Sequence, residues 1–155
     1  MATSRIPAAI DALVSILRAA PALAGVQVVD GPPTIDQADA DHVYVGWQTG
    51  ADTAAELTQD FNAAGARTRD ENFDILCEVD AWTGDSDVKT RRDRAFALLG
   101  VVEDALRATG ANPTAPALNG AVLWAHLTQG SLVQQNTPSG VRVGVTFRIA
   151  CRARI

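Results

Sequence analysis

The chain has 155 residues, of which 47% are hydrophobic and 20% charged, and it carries a formal net charge of −5. A length of this order fits one domain, which buries roughly 68–70% of the surface its unfolded chain would expose, and the composition is neither that of a disordered chain nor that of a membrane-spanning one. The acidic balance excludes a general nucleic-acid binder, because phosphate binding relies on accumulated Lys and Arg to displace counterions.

Twelve of the thirteen basic residues are Arg, Lys89 being the exception. Arg is the cation suited to planar, partly desolvated pairing with carboxylates, so its dominance points toward interfaces. The apolar N-terminal stretch "AAIDALVSILRAAPALA" ends in a pattern like a signal-peptidase site, but Asp11 and Arg18 interrupt the run. No stretch approaches the ~20 apolar residues of a membrane helix, and the expected location is the cytosol. Cys77 and Cys151 cannot make a disulfide framework and are expected as buried thiols on apolar strand faces.

In chain order, Pro7 suits a first helical turn that Ser4 can cap, and Ile6, Ile10, Leu13, Val14 and Leu17 recur at helical spacing up to Pro21. "VQVV" is a short strand, broken by Gly31-Pro32-Pro33 and followed by the polar loop "DQADAD". "HVYVGWQ" is a second strand. Residues 49–69 lack a firm period and are expected to be a long excursion that meets a neighbouring protein. "ENFDILCEVDAWTGDSD" then reads as a strand with Phe73, Ile75, Cys77, Val79 and Ala81 on a buried side, and Asp74, Leu76, Glu78, Asp80 and Trp82 on the other.

Ser86 or Asp87 caps a second helix, with Ala95, Leu98, Leu99, Val102 and Leu106 inward and Gly110 as a stop. "GAVLWAHLTQGSLV" and "VRVGVTFRIACRARI" are two further strands joined across "QQNTPSG". The last alternates most regularly: Val141 through Ile155 at odd positions share one face, and Arg142, Arg148, Arg152 and Arg154 share the other. The order α-β-β-β-α-β-β predicts a single α+β domain over residues 1–155, a mainly antiparallel sheet with both helices on its apolar face.

The chemistry-bearing residues point away from catalysis. Asp36, Asp39, Asp41 and His42 in one loop, and Asp74, Glu78, Asp80, Asp85 and Asp87 in another segment, lack the spacing of a calcium loop. His42 and His126 sit in no nucleophile motif, and there is no phosphate-binding glycine loop. Paired carboxylates for glycoside chemistry would have few aromatic platforms, the chain having eight aromatics. The expectation is therefore no catalytic residue, no metal and no cofactor. What remains is a pair of two-faced strands, one acidic and one arginine-rich. As neighbours within a subunit they would form cross-strand pairs, and in different subunits they would set register and orientation. The interface residues expected on this basis are Asp74, Glu78, Asp80, Trp82, Trp124, Arg142, Arg148, Arg152 and Arg154, the two indoles serving as anchors.

The Pro7-started helix, the "HVYVGW" strand with its variable following loop, "ENFDILCEVDAWTGDSD" running into "RRDRAFALLGVVEDALRA", "LNGAVLWAHLTQGSLVQQ" and the terminal "GVRVGVTFRIACRARI" together make a layout over nearly the whole chain. It resembles the tail terminator proteins of long-tailed bacteriophages. The resemblance implies a structural virion protein, not an enzyme, that assembles as a ring, expected to be a hexamer. Such a ring caps the head-proximal end of the tail tube, stops its polymerisation and presents a surface to the head-tail connector. Its partners would be further copies of itself, tail tube protein and connector protein; DNA would pass through the channel without specific binding, and no membrane is involved. Its place would be the virion tail, and the host cytoplasm during assembly. The alternatives are another head-tail completion or stopper protein, and a cytosolic metal- or ligand-binding enzyme built on the acidic loops.

Overall fold

The computed structural model describes residues 2–34, 40–82, 87–138 and 140–155. Helix α1 spans Ile6–Ala19 and helix α2 spans Val88–Ala105. Six strands follow the chain as β1 (Gln27–Asp30), β2 (His42–Val45), β3 (Ala55–Phe61), β4 (Arg69–Trp82), β5 (Trp124–Thr137) and β6 (Gly140–Arg154), with 3-10 turns at Pro21–Leu23 and Ala115–Gly120. The expected α+β architecture is present. Its strands form one sheet in the order β1-β2-β4-β6-β5, antiparallel except for the β1–β2 pair.

One strand more is present than the sequence predicts. β3 lies inside the expected excursion of residues 49–69 and pairs antiparallel with β4, from Ala55 opposite Ile75 to Phe61 opposite Arg69. β2 pairs with the same edge of β4 further along, from His42 opposite Asp80 to Val45 opposite Cys77. β2 and β3 are thus two stretches of one edge-lining path, parted where residues 46–54 leave the sheet and return. Gly46 begins the departure with φ 75°, a conformation that costs other residues strain. The amide of Leu76 donates to the carbonyl of Ala54 at 3.0 Å as the chain rejoins the edge.

The cap position of α1 is Arg5, one residue after the expected Ser4. Pro7 occupies the first turn, and Ser4 Oγ accepts the amide of Ile6 at 3.1 Å. A carboxylate also anchors this end: Glu71, fully buried, accepts the amide of Arg5 at 2.8 Å and Gln59 Nε2 at 3.0 Å. A negative charge at a helix N-terminus is favoured by the unsatisfied amides gathered there. At the start of α2, Asp87 accepts the amides of Lys89 and Thr90, resolving the cap in its favour; Ser86 lies outside the described residues. α2 stops at Ala105, five residues short of Gly110.

Both helices press onto one face of the sheet. The core joins Leu13, Leu17, Leu98 and Val102 to Phe73, Ile75, Cys77 and Val79 of β4 and to Val141 through Ala153 at alternate positions of β6. Burial of one such Val, Leu or Ile side chain contributes about 1.5–3 kcal/mol. The period-2 alternation of β4 and β6 is therefore fixed in register, since a one-residue slip would turn this whole set outward. Cys77 and Cys151 are both buried on this face, and burial pushes the Cys77 thiol up to about 12.

Candidate functional site

Among the described residues no helix covers the opposite face of the sheet, and all nine expected interface residues belong to it or to its rim. β4 and β6 are direct neighbours, so acids and arginines meet inside one chain: Asp70 stands opposite Arg154, Asp74 lies diagonal to Arg148 and Arg152, and Asp80 lies diagonal to Arg142. The first of the two sequence-level arrangements, pairing within the subunit, is the one present.

Three ion-pair clusters run along this face. At one end Arg154 Nε reaches Asp70 Oδ1 at 2.8 Å and Arg152 Nη2 reaches Asp70 Oδ2 at 2.9 Å. These two guanidiniums hold the Asp70 carboxyl down at about 2. In the middle Arg148 Nη1 lies 2.8 Å from Glu56 of β3 and 3.3 Å from Asp74. At the other end Arg142 lies 3.1 Å from both Glu78 and Asp80. All four arginines are thus engaged by acids of their own chain. Partly exposed pairs of this kind contribute between zero and ~1 kcal/mol each, so their main effect is to fix strand order and side-chain direction.

The third cluster differs from the others because it is buried. Glu78 is 1% exposed and Asp80 9% exposed. The excursion 46–54 covers them. Thr49 donates its amide to Glu78 Oε2 at 2.6 Å and its hydroxyl to Oε1 at 3.0 Å, and Arg142 Nη2 donates to Thr49 Oγ1 at 3.0 Å. Gln48 Nε2 crosses β4 to donate to the carbonyls of Cys77 at 3.1 Å and Phe147 at 2.8 Å. Beside this cap, His42 stacks on Tyr44 with ring centroids 5.5 Å apart, and Trp47 meets Tyr44 edge-on at 4.9 Å. Burial raises the Asp80 carboxyl against the opposing pull of Arg142, and burial pushes Tyr44 up to about 12. Asp80 Oδ1 has no hydrogen-bond partner among the described residues.

Three features therefore differ from the sequence expectation. Glu78, Asp80 and their neighbour Leu76 are enclosed rather than solvent-facing. The expected excursion 49–69 is tied to the sheet, through Thr49 on Glu78 and through β3 on β4. Trp82 is half-buried, its amide donating to Asp41 Oδ1 at 3.2 Å. Trp124 and Arg154 are the members that stay open. Trp124 is 40% exposed at the start of β5, its indole 5.0 Å from the His126 ring. Beside it a shallow groove of about 310 Å³ runs over Asn72, Asp74 and Ala150 toward Glu56 of β3.

Sequence reasoning missed Asp70, Glu56 and Thr49. Asp70 is in phase with Asp74 and Glu78, so alternation carried one position further would have found it; Glu56 and Thr49 lie where no period was visible. Of the acids considered as metal ligands, Asp36, Asp39 and Asp85 lie outside the described residues. Among the described residues no three His, Cys, Asp or Glu side chains converge as metal ligands would. No helix among them is long and apolar enough to cross a membrane. No protein-family model matches the sequence, and no curated protein matches it.

Proposed function

We propose that this chain is a structural subunit that assembles as a ring, expected to have six members, on the head-proximal end of a long-tailed phage tail tube, ending the growth of the tube and presenting a surface for head joining. The observation that supports the reading is the face of the sheet turned away from the helices, open around Asp70 and Asp74 though capped over Glu78. Two helices cover one side, while the other offers a broad surface of ordered ion pairs with Trp124 exposed among them. Such a surface suits contact between proteins, because ion-paired strands are held rigid before any partner arrives and an exposed indole is a typical anchor. A tube lengthens because each ring presents the same heterologous face to the next. A terminator matches that face on one side and fails to reproduce it on the other. The net charge of −5 suits a channel through which DNA slides without being held.

Light scattering across concentration, with and without purified tail tube protein, tests the proposal. The expected outcome is a ring of defined mass, formed by the protein alone or on addition of tube protein, that shortens or halts tube growth. Tubes that lengthen unchanged in a molar excess of this protein would refute termination. Preferential binding to head portals over tube ends would favour a stopper.

A further inference from the structure

Among the described residues the sheet has three open edges, and they are unequally protected. β1 is four residues long. β3 is seven residues long and pairs only with β4. β5 is fourteen residues long, pairs only with β6, and its sequence WAHLTQGSLVQQNT contains no Asp, Glu, Lys, Arg or Pro. Unpaired strand edges are templates for another strand, and proteins blunt them with charge, proline or short length. β5 has none of these, only a bulge between Leu127 and Gly130.

The exposed apolar side chains gather at two of these edges. Among the described residues the large hydrophobics that remain well exposed are Leu57, Phe61, Phe96, Leu123, Trp124 and Leu132. Leu57 and Phe61 belong to β3. Leu123 precedes β5, and Trp124 and Leu132 lie on it. Phe96 stands one turn beyond Arg92 of α2, whose Nη1 reaches Gln134 of β5 at 3.2 Å, so it shares the helix face turned to that edge. Clustered apolar exposure marks contact surfaces.

The two edges are also matched in direction and face. β3 is antiparallel to β4, β4 to β6 and β6 to β5. A second copy set beside the first so that the sheet continues would bring its β3 antiparallel to β5. Leu57 stands opposite Phe73 and Leu132 opposite Val145, both core positions, so both leucines point to the helix side. In a level continuation Leu57 would face Ala125, and a shift along the strands that brings Leu132 to Leu57 lets apolar side chains meet on one face while main-chain groups pair between them. We infer that β5 of one subunit adds to β3 of the next copy of this chain, and that this head-to-tail strand pairing is the seam of the assembly. The inference rests on the ring reading above and names its contact.

Complementation between edge variants tests it. Leu57→Lys damages only the β3 edge and Leu132→Lys only the β5 edge, and both positions are open enough for circular dichroism to stay unchanged. Sedimentation of the wild-type protein is expected to show closed rings, and each variant alone only monomers. An equimolar mixture is expected to stop at dimers, because the intact β5 edge of Leu57→Lys meets the intact β3 edge of Leu132→Lys once per pair. If either variant loses its fold, Phe61→Lys replaces the first and Phe96→Lys the second. Wild-type rings together with variants that still assemble, or a mixture that stays monomeric, would overturn the seam and leave the ring standing. A wild-type protein that stays monomeric at every concentration, with tube protein present, would overturn both.

Discussion

The buried carboxylate of Glu78 is accommodated by the absence of a side chain across the strand pair. Gly144 lies beside it on β6, and a Cβ there would stand 2.9 Å from Glu78 Oε1 and 3.3 Å from the Val79 carbonyl. A carboxylate at the end of a free side chain would swing away, but this one is fixed by Thr49 and Arg142. Gly144→Ala should therefore cost about 1–3 kcal/mol, as overfilling a packed site does, read as a lower urea midpoint at unchanged slope. The neighbouring acids give opposite pH signatures. Asp70 is held below its unfolded value by Arg154 and Arg152, so its contribution is complete above ~4 and disappears as pH falls toward about 2. Asp80 is raised above its unfolded value by burial, so folding takes up a proton there and stability falls as pH climbs above ~4 toward the raised folded value. Thermal midpoints against pH should show wild type gaining on Asp70→Asn between pH 2 and 4, and losing ground to Asp80→Asn above pH ~4. Parallel curves for all three proteins would refute both assignments.

At the scale of elements, what was legible followed from burial on one side. α1, β4 and β6 each press a continuous apolar stripe into the core, and their periods were visible for that reason. β3 was not visible, because its side chains on both faces are largely exposed and no hydrophobic alternation is imposed on Ala55–Phe61. Its strand conformation is set by main-chain pairing with β4, which propensity does not encode. For the same reason the enclosure of Glu78 and Asp80 could not be foreseen: alternation assigns a face, while the cap comes from the chain after β2, where Gly46–Gln48 reads as more of the strand and Thr49 begins the stretch without a period. The correction changes what a deletion would do. Removing residues 52–66 would delete β3 from the sheet and strip Arg148 of Glu56, so it should destabilise the fold. The pairing also predicts graded protection in hydrogen exchange. Amides of β3, at an edge with few buried neighbours, should exchange faster than those of β4 and β6 in dilute solution, and should slow as concentration rises if the edge is the seam. Equal protection of β3 and β4 at all concentrations would contradict this ordering.

For the whole molecule, assembly and stability are linked. A partner copy that binds only the folded chain adds to apparent stability by mass action, so each tenfold rise in concentration beyond the assembly midpoint should add about 1.4 kcal/mol per intact seam. For a chain of this size that corresponds to a rise of roughly 3–6 °C in the unfolding midpoint. The intrachain ion pairs do not depend on concentration and contribute nothing to this slope. Wild-type protein should therefore show a midpoint that climbs with concentration, while Leu57→Lys and Leu132→Lys should each show a flat one near the wild-type dilute value. Reversing charge at Arg148 and Arg152 should behave differently from both. Those arginines are bound to Glu56, Asp74 and Asp70 of the same chain, so reversal should lower the midpoint at every concentration while leaving its slope in place. Differential scanning calorimetry over a hundredfold concentration range separates the two behaviours. A slope removed by the arginine reversal and retained by the edge variants would move the subunit contact from the strand edges to the charged face.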